Sequence, residues 1–281
     1  MKYMTKEWYQ MAQNTSFHLG LRASKEAEVC SEKYYKKLYK REEQAWLRIQ
    51  EDVSKVKFED IYPDGFRTED FEYLSLNPDQ LEAAKNEYDE MRENYRTYSE
   101  NKSTFSPESE KKIFRQNLRQ RIKNLKNNLP YEILERVADI RVLALDRASA
   151  KVKKEISLFC KSNNKTVEKT MNSYWKEFKK NFRTGEPDFV SKFDFHDCDI
   201  ISCRTKGNDI VLSLDNSGGF TSISQIILKN CSIIKQDEHL NGAWWLYDEI
   251  YKINDGYEIH VLLSKKKLVD FVFTVTNIEY M

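Results

Sequence analysis

Two hydrophobic periods divide this chain. Over roughly the first 180 residues, apolar side chains recur every three to four positions among many lysines and glutamates, which is typical of amphipathic helices. From about Phe193, apolar and polar residues alternate, which is typical of β-strands. The pattern predicts an α+β protein, in which an N-terminal helical bundle, residues 1–185, precedes a small antiparallel β-meander domain, residues 186–281.

The helical part contains several start and stop signals. Ser24, Asn77-Pro78 and Ser106-Pro107 have the residue types that begin helices. Ser162-Asn163-Asn164 interrupts the apolar pattern near its end. Together these signals predict helices over about residues 5–13, 24–53, 78–98, 107–128, 131–160 and 165–182.

Turn-forming residues divide the last third into short strands, near residues 196–205, 209–215, 221–229, 231–236, 243–253, 256–264 and 267–277. Asp255-Gly256 favours a two-residue hairpin loop, which would place Tyr251 opposite His260. In this register one face of the hairpin collects aromatic and ionisable side chains: Trp245, Tyr247, Glu249, Tyr251, Glu258 and His260.

This aromatic face allows three interpretations. The commonest fate of such residues is burial, here against the helical part, with the Glu and His side chains satisfied by helix charges. It could also be a protein-binding surface, because Trp and Tyr provide large contact area at low entropic cost. Finally, Glu258 and His260 are metal-ligand types two positions apart on one face.

His196-Asp197-Cys198-Asp199 also carries metal-ligand types. Successive side chains of a strand point to opposite faces, so this run converges only in a loop, and a turn at the entry to a strand is the favoured interpretation. The alternative is a metal site that combines His196 and Asp197 with Glu258 and His260. The sequence contains no catalytic triad, phosphate-binding glycine loop or HExxH motif, and it predicts no cofactor.

The composition is typical of a soluble protein that folds. The chain of 281 residues is 32% charged and 40% hydrophobic, and its apolar runs are far shorter than the roughly 20 residues of a membrane span. The first residues lack the apolar segment of a signal peptide. Five cysteines, without CxxC spacing, favour free thiols in a reducing compartment. These features predict a cytoplasmic protein that does not contact a membrane.

The net charge of +1 conceals an uneven distribution. Lys and Arg number 16 against 21 Asp and Glu in residues 1–100 (−5), 21 against 9 in residues 101–185 (+12), and 9 against 15 in residues 186–281 (−6). Lys111, Arg115, Arg119 and Lys123 recur every four positions and share one helix face. This basic row could bind nucleic-acid phosphates, but we favour a solvated row, or one paired with the acidic parts of the chain.

A family resemblance covers nearly the whole chain. The opening Met1-Lys2-Tyr3-Met4-Thr5-Lys6-Glu7-Trp8-Tyr9 resembles the start of an uncharacterised bacterial family, a domain of unknown function. Similar segments are Asp139 to Leu145, His196-Asp197-Cys198, and Leu240 to Tyr251. The resemblance implies a cytoplasmic bacterial protein, but no activity and no functional residues. On the meander and His196 to Ile200, the β part also resembles small sheet domains of bacterial toxin-immunity proteins.

Three hypotheses follow for function. The leading one is a non-enzymatic protein-binding module of an immunity-like kind. Its partner, a basic protein, would bind either the sheet face around Trp245, Tyr247, Glu249 and His260 or the acidic C-terminal third in general. The second is a metal-dependent hydrolase that uses His196, Asp197, Glu258 and His260. The third is nucleic-acid binding through the basic row, which the overall pI of about 7.6 opposes.

Overall fold

The structure, a computed structural model, describes residues 1–61, 78–100, 104–182 and 188–281. It consists of two compact units: residues 1–19 together with 154–281, and residues 20–153. The domain boundary predicted at residue 185 falls in the segment 183–187, outside the described residues. A boundary at that point therefore stays a prediction.

The fold is α+β, as predicted, with the helices mostly N-terminal. The helices are α1 (Lys6–Ala12), α2 (Glu32–Lys55), α3 (Phe58–Ile61), α4 (Pro78–Glu100), α5 (Pro107–Asn128), α6 (Tyr131–Leu134), α7 (Ile140–Leu143), α8 (Ala150–Asn181) and α9 (Asp188–Ser191). The strands are β1 (Arg22–Ala23), β2 (Arg147–Ala148), β3 (Asp199–Lys206), β4 (Asp209–Asp215), β5 (Gln225–Lys229), β6 (Ser232–Gln236), β7 (Ala243–Ile253), β8 (Gly256–Ser264), β9 (Leu268–Val275) and β10 (Asn277–Tyr280).

Two predicted helix starts have different outcomes. Helix α5 begins after Ser106, whose hydroxyl oxygen accepts a hydrogen bond from the Ser109 N–H, as its sequence predicts. Helix α2 begins after Ser31 and not after Ser24, and the Ser31 hydroxyl caps the Tyr34 N–H. Ser24 instead precedes a single turn of 3₁₀ helix, Lys25–Glu28, so the predicted start of α2 was wrong by several residues.

The predicted interruption of the helix at residues 162–164 was wrong, because α8 includes these residues. The helix runs without a break through these residues, because their polar groups find partners compatible with a helix. The Asn163 side chain donates to the Asn14 carbonyl at 3.0 Å, and the Thr166 hydroxyl donates to the Ser162 carbonyl at 3.1 Å. The stretch before α8, predicted as one long helix, contains only the short helices α6 and α7 and strand β2.

The unit of residues 20–153 is built around α2 and α5. Leu38 of α2 and Leu118 and Leu125 of α5 are buried, and the Phe114 ring lies edge-on to the Tyr39 ring. Strands β1 and β2 form a short parallel pair. This unit contains 27 Lys and Arg against 26 Asp and Glu, a net charge of +1, so the excess of basic residues after position 100 is balanced within it.

The other unit contains an antiparallel sheet in the order β10-β5-β4-β3-β7-β8-β9-β6. The sheet differs from a single meander, because β6 pairs with β9 at one edge and β10 pairs with β5 at the other. Only two residue pairs join β3 to β7. Farther along β7, a side chain of α8 replaces the missing strand partner, since the Ile250 N–H donates to the Tyr174 hydroxyl at 3.0 Å. Within the described ranges, no helix is long and apolar enough to cross a bilayer.

Candidate functional site

The β7–β8 hairpin has a different register from the predicted one. Its loop is Asn254-Asp255, and Ile253 pairs with Gly256. Glu249 therefore lies opposite His260, and Tyr251 lies opposite Glu258, so the predicted pairing of Tyr251 with His260 was wrong by two residues. A change of two residues in the pairing register leaves each side chain on the same face of the hairpin. Tyr247, Glu249, Tyr251, Glu258 and His260 consequently share one face, as predicted.

Trp245 does not belong to this face. The ladder shifts between Trp245 and Tyr247, a β-bulge that adds one residue to β7 and reverses the alternation on its far side. Trp245 is fully buried, with its ring against the rings of Phe193 and Phe195. The prediction that Trp245 is part of an accessible aromatic surface is therefore corrected, and this indole is a core residue.

The Glu249 carboxylate is the centre of the hairpin face, and it is fully buried. Its oxygens accept hydrogen bonds from the backbone N–H groups of Lys2 at 2.7 Å, Tyr3 at 2.8 Å and Met4 at 2.5 Å, and from the Tyr251 hydroxyl at 2.8 Å. Three successive N–H groups on one carboxylate satisfy a buried charge. The chain's own first residues thus occupy the centre of this face.

His260 and Glu258 complete this polar cluster. His260 Nε2 lies 2.6 Å from Glu258 Oε1, and Lys2 Nζ lies 3.5 Å from the same oxygen and 3.8 Å from the centre of the Tyr251 ring. Burial lowers the pKa of His260, although its hydrogen bond to Glu258 opposes this shift. The same hydrogen bond holds the pKa of Glu258 below its usual value. The cluster fixes Lys2 and its neighbours in place.

Residues of α1 cover the rest of the face. The Trp8 ring lies edge-on to the Tyr247 ring at a centroid distance of 5.0 Å, and its indole N–H donates to the Val167 carbonyl at 3.2 Å. Met4 and Trp8 are buried. Burial of the aromatic face was the favoured interpretation, but the first residues of the chain had no predicted place in it.

His196 and Asp197 form a turn before β3. His196 Nδ1 lies 3.1 Å from Asp197 Oδ2, without the alignment of a hydrogen bond, and the imidazole lies edge-on to Tyr247. Asp197 has a positive φ of 67°, and its N–H donates to the Trp245 carbonyl at 3.0 Å. Among the described residues, which include all four proposed metal ligands, no group of three or more His, Cys, Asp or Glu side chains is placed to hold a metal ion.

The basic row lies along α5. Arg115, Arg119 and Lys123 are exposed, whereas Lys111 pairs with Glu108 at 2.8 Å. The pKa of Lys111 is raised because of this hydrogen bond. The unit of residues 20–153 is nearly neutral overall, so its net charge does not favour a polyanion.

An exposed row of three side chains crosses the sheet where β7, β3 and β4 meet. Trp244 of β7 lies directly opposite Asp199 of β3, and Asp199 lies directly opposite Asp215 of β4. Trp244 is 45% exposed, and both aspartates are exposed. We call these three side chains the Trp244 row. Within the described part of the chain, neither the Trp244 indole nor the Asp199 carboxylate has a hydrogen-bond, ion-pair or ring partner.

Sequence reasoning missed the Trp244 row, although part of the signal was available. Neighbouring residues of a strand face opposite sides, so one member of Trp244-Trp245 has to point away from the core. Trp245, the buried member, was among the candidates for a binding surface, and Trp244 was not. Asn241 and Gly242 support the junction, since the Asn241 side chain accepts from the Cys203 N–H and the Gly242 N–H donates to the Ile200 carbonyl.

Comparisons with known proteins give one match. No curated protein and no solved structure matches this chain. A family profile matches residues 80–271, which include the similar segments at 139–145, 196–198 and 240–251 but not the opening nine residues. The match covers more than half of the 281 residues. The chain therefore belongs to the family described as protein of unknown function (DUF4085).

Proposed function

We propose that this protein is a non-enzymatic binding module and that its partner is a protein with a basic surface. The Trp244 row is the observation that carries the proposal. An exposed indole beside two carboxylates offers a Lys or Arg side chain both a cation–π contact and an ion pair. Trp is also the residue type most enriched where interface binding energy concentrates.

The charge arrangement of the row supports a cationic partner. Two carboxylates directly opposite each other on neighbouring strands are an unfavourable pair in a sheet. The Ser217 side chain and N–H hold the pKa of Asp215 below its usual value, which keeps this carboxylate ionised. A bound cation would pair with Asp199 and Asp215 together.

The proposal includes the finer expectations from the sequence, an immunity-like role in a bacterial cytoplasm. Residues 186–281 carry 9 Lys and Arg against 15 Asp and Glu, a net charge of −6. An acidic surface accelerates encounter with a basic partner such as a nuclease toxin. Capture of the bound protein from cells would identify this partner.

Capture from native-host cells tests the proposal. A photocrosslinker at Ile201, the 60% exposed bulge residue beside Asp199, should trap a protein with a basic surface. The purified partner should then lose affinity by about 10-fold or more for Trp244→Ala and for the double variant Asp199→Asn/Asp215→Asn. Binding should weaken with added salt in the wild type and much less in the double variant.

Trp175→Ala is the matched control, because Trp175 of α8 is 46% exposed. It should leave the affinity unchanged. The proposal is wrong if crosslinking at Ile201 gives the same products as crosslinking at Leu158, an equally exposed position of α8. It is also wrong if Trp244→Ala and Trp175→Ala reduce partner affinity equally.

A further inference from the structure

A cavity that does not include the Trp244 row lies between α8 and the turn that follows α1. Its volume is about 490 Å³, within the range of about 300–1,000 Å³ that is usual for small-molecule sites. The lining residues are Thr15, Ser16, His18, Leu19, Cys160, Lys161, Asn164, Lys165 and Glu168. All of them belong to the unit of residues 1–19 and 154–281.

Hydrogen bonds to α8 hold the wall of this cavity in place. The Asn163 side chain donates to the Asn14 carbonyl at 3.0 Å, and the Leu19 N–H donates to the Ser16 carbonyl at 2.9 Å. The Cys160 thiol is buried, and burial raises its pKa, although the nearby backbone N–H groups of His18 and Phe17 oppose this shift. The wall is therefore formed before any ligand binds.

The rim of the cavity is cationic. Lys161 and Lys165 are four positions apart, so they share one face of α8. Within the described residues, neither ammonium group lies in an ion pair. The nearby Glu168 carboxylate already accepts from the Asn164 side chain at 2.7 Å. The lining therefore carries two ammonium groups without an ion pair against one carboxylate, which keeps its charge although it accepts from Asn164.

His18 has one unsatisfied ring nitrogen, which does not itself face the open cavity. Its Nδ1 atom is excluded from solvent and has no hydrogen-bond partner in the described part of the chain. A buried polar atom without a partner costs free energy, and native proteins rarely leave one unexplained. The imidazole lines the same cavity as the two lysines.

We propose that this cavity binds a small molecule that carries a phosphate monoester. Lys161 and Lys165 hold the phosphate as point charges, and the Ser16 hydroxyl supplies a further hydrogen bond. Rotation of the His18 ring would bring its unpaired nitrogen to the phosphate as well. Phosphate suits the site better than a carboxylate, since it accepts from more donors at once. The cavity also leaves room for the organic body of the ligand.

Calorimetric titration with glycerol 3-phosphate, in a buffer without phosphate, tests the proposal. The full chain should bind with a Kd below about 1 mM. The variant Lys161→Ala/Lys165→Ala should lose at least about 10-fold in affinity. The control Lys176→Ala/Lys180→Ala removes two exposed lysines with the same spacing on the same helix, and it should bind like the wild type.

Parallel titrations separate the two sources of the phosphate group. Weaker binding of inorganic phosphate than of glycerol 3-phosphate would show that the organic body contributes, and equal affinities would identify free phosphate as the ligand. The proposal is overturned if the wild type binds neither probe at millimolar concentration. It is also overturned if the two double lysine variants reduce affinity equally, because binding would then depend on the overall charge of the protein and not on this cavity.

The variant His18→Phe examines the imidazole separately. It keeps the ring and removes the unpaired nitrogen, and it should weaken glycerol 3-phosphate binding while the protein stays folded. If the His18→Phe variant is more stable and binds glycerol 3-phosphate with unchanged affinity, His18 does not contribute to binding.

Discussion

The indole N–H of Trp245 donates a hydrogen bond to Asp248 Oδ2 at 3.1 Å. Both side chains therefore lie on the same face of β7, although they are three positions apart. A regular strand would place them on opposite faces. The bulge between Trp245 and Tyr247 supplies the extra residue that brings them together. Four consequences of this and related contacts can be measured.

The bulge assigns opposite roles to two adjacent tryptophans. Trp245→Ala should destabilise the protein by about 3–5 kcal/mol, because it removes a fully buried ring. Trp244→Ala should cost less than about 1 kcal/mol, since its ring is partly in solvent. Urea denaturation of both variants measures the difference, and equal losses would contradict the bulge.

Asp248 makes stability depend on pH. Burial raises the pKa of Asp248 to about 7, against the hydrogen bond from Trp245, which lowers it. The unfolded value is about 3.9, so between these pH values the folded chain binds more protons. Stability is therefore lost as the pH rises from about 4 to about 7. Asp248→Asn should raise the Tm at pH 8 and raise it clearly less at pH 5.

Asp209→Asn is a control for which the expected shift in Tm at pH 8 has the opposite sign. The backbone N–H of Asn230 and the Lys229 ammonium hold the pKa of Asp209 below the usual value. Asp209→Asn should therefore lower the Tm at pH 8. An equal rise for Asp248→Asn at both pH values would show that ionisation is not the cause.

The contacts of Glu249 predict a strong effect of a nearly isosteric change. Glu249→Gln replaces one acceptor oxygen by a donor that faces N–H groups, and the loss should be about 2–4 kcal/mol. Trypsin should also cleave faster after Lys2 and Lys6. Glu279→Gln, at a half-exposed site 3.6 Å from Lys229, should cost less than about 1 kcal/mol. Similar trypsin rates in both variants would argue against the role of Glu249.

Two glycines separate backbone strain from steric clash. A Cβ at Gly256, where φ is +139°, would lie 2.1 Å from the Val275 carbonyl oxygen, so Gly256→Ala should cost about 3 kcal/mol or more. Gly207, with φ +63°, has open space around it, and Gly207→Ala should cost about 1–2 kcal/mol from strain alone. Thermal denaturation compares the two variants, and equal decreases in Tm would show that the clash at Gly256 does not contribute.

The α+β class and many element positions could be predicted because periods of 3.6 and 2 are local properties of the chain. Strand β7 was predicted over its observed range, and α5 begins at its predicted cap. The bulge after Trp245 could not be predicted, since no local pattern marks an extra residue. The contacts of Glu249 with Lys2 to Met4 join residues about 246 positions apart in sequence, and only the tertiary fold creates them.

The discontinuity of the first unit has a consequence for the order of folding. Residues 20–153 are contiguous and are synthesised before most of the partners of residues 1–19 exist. The first residues must wait until Glu249 has been made before their N–H groups find an acceptor. During synthesis, domains generally fold as units and from the N-terminus. Residues 1–19 should therefore become ordered after the unit of residues 20–153, which follows them in sequence.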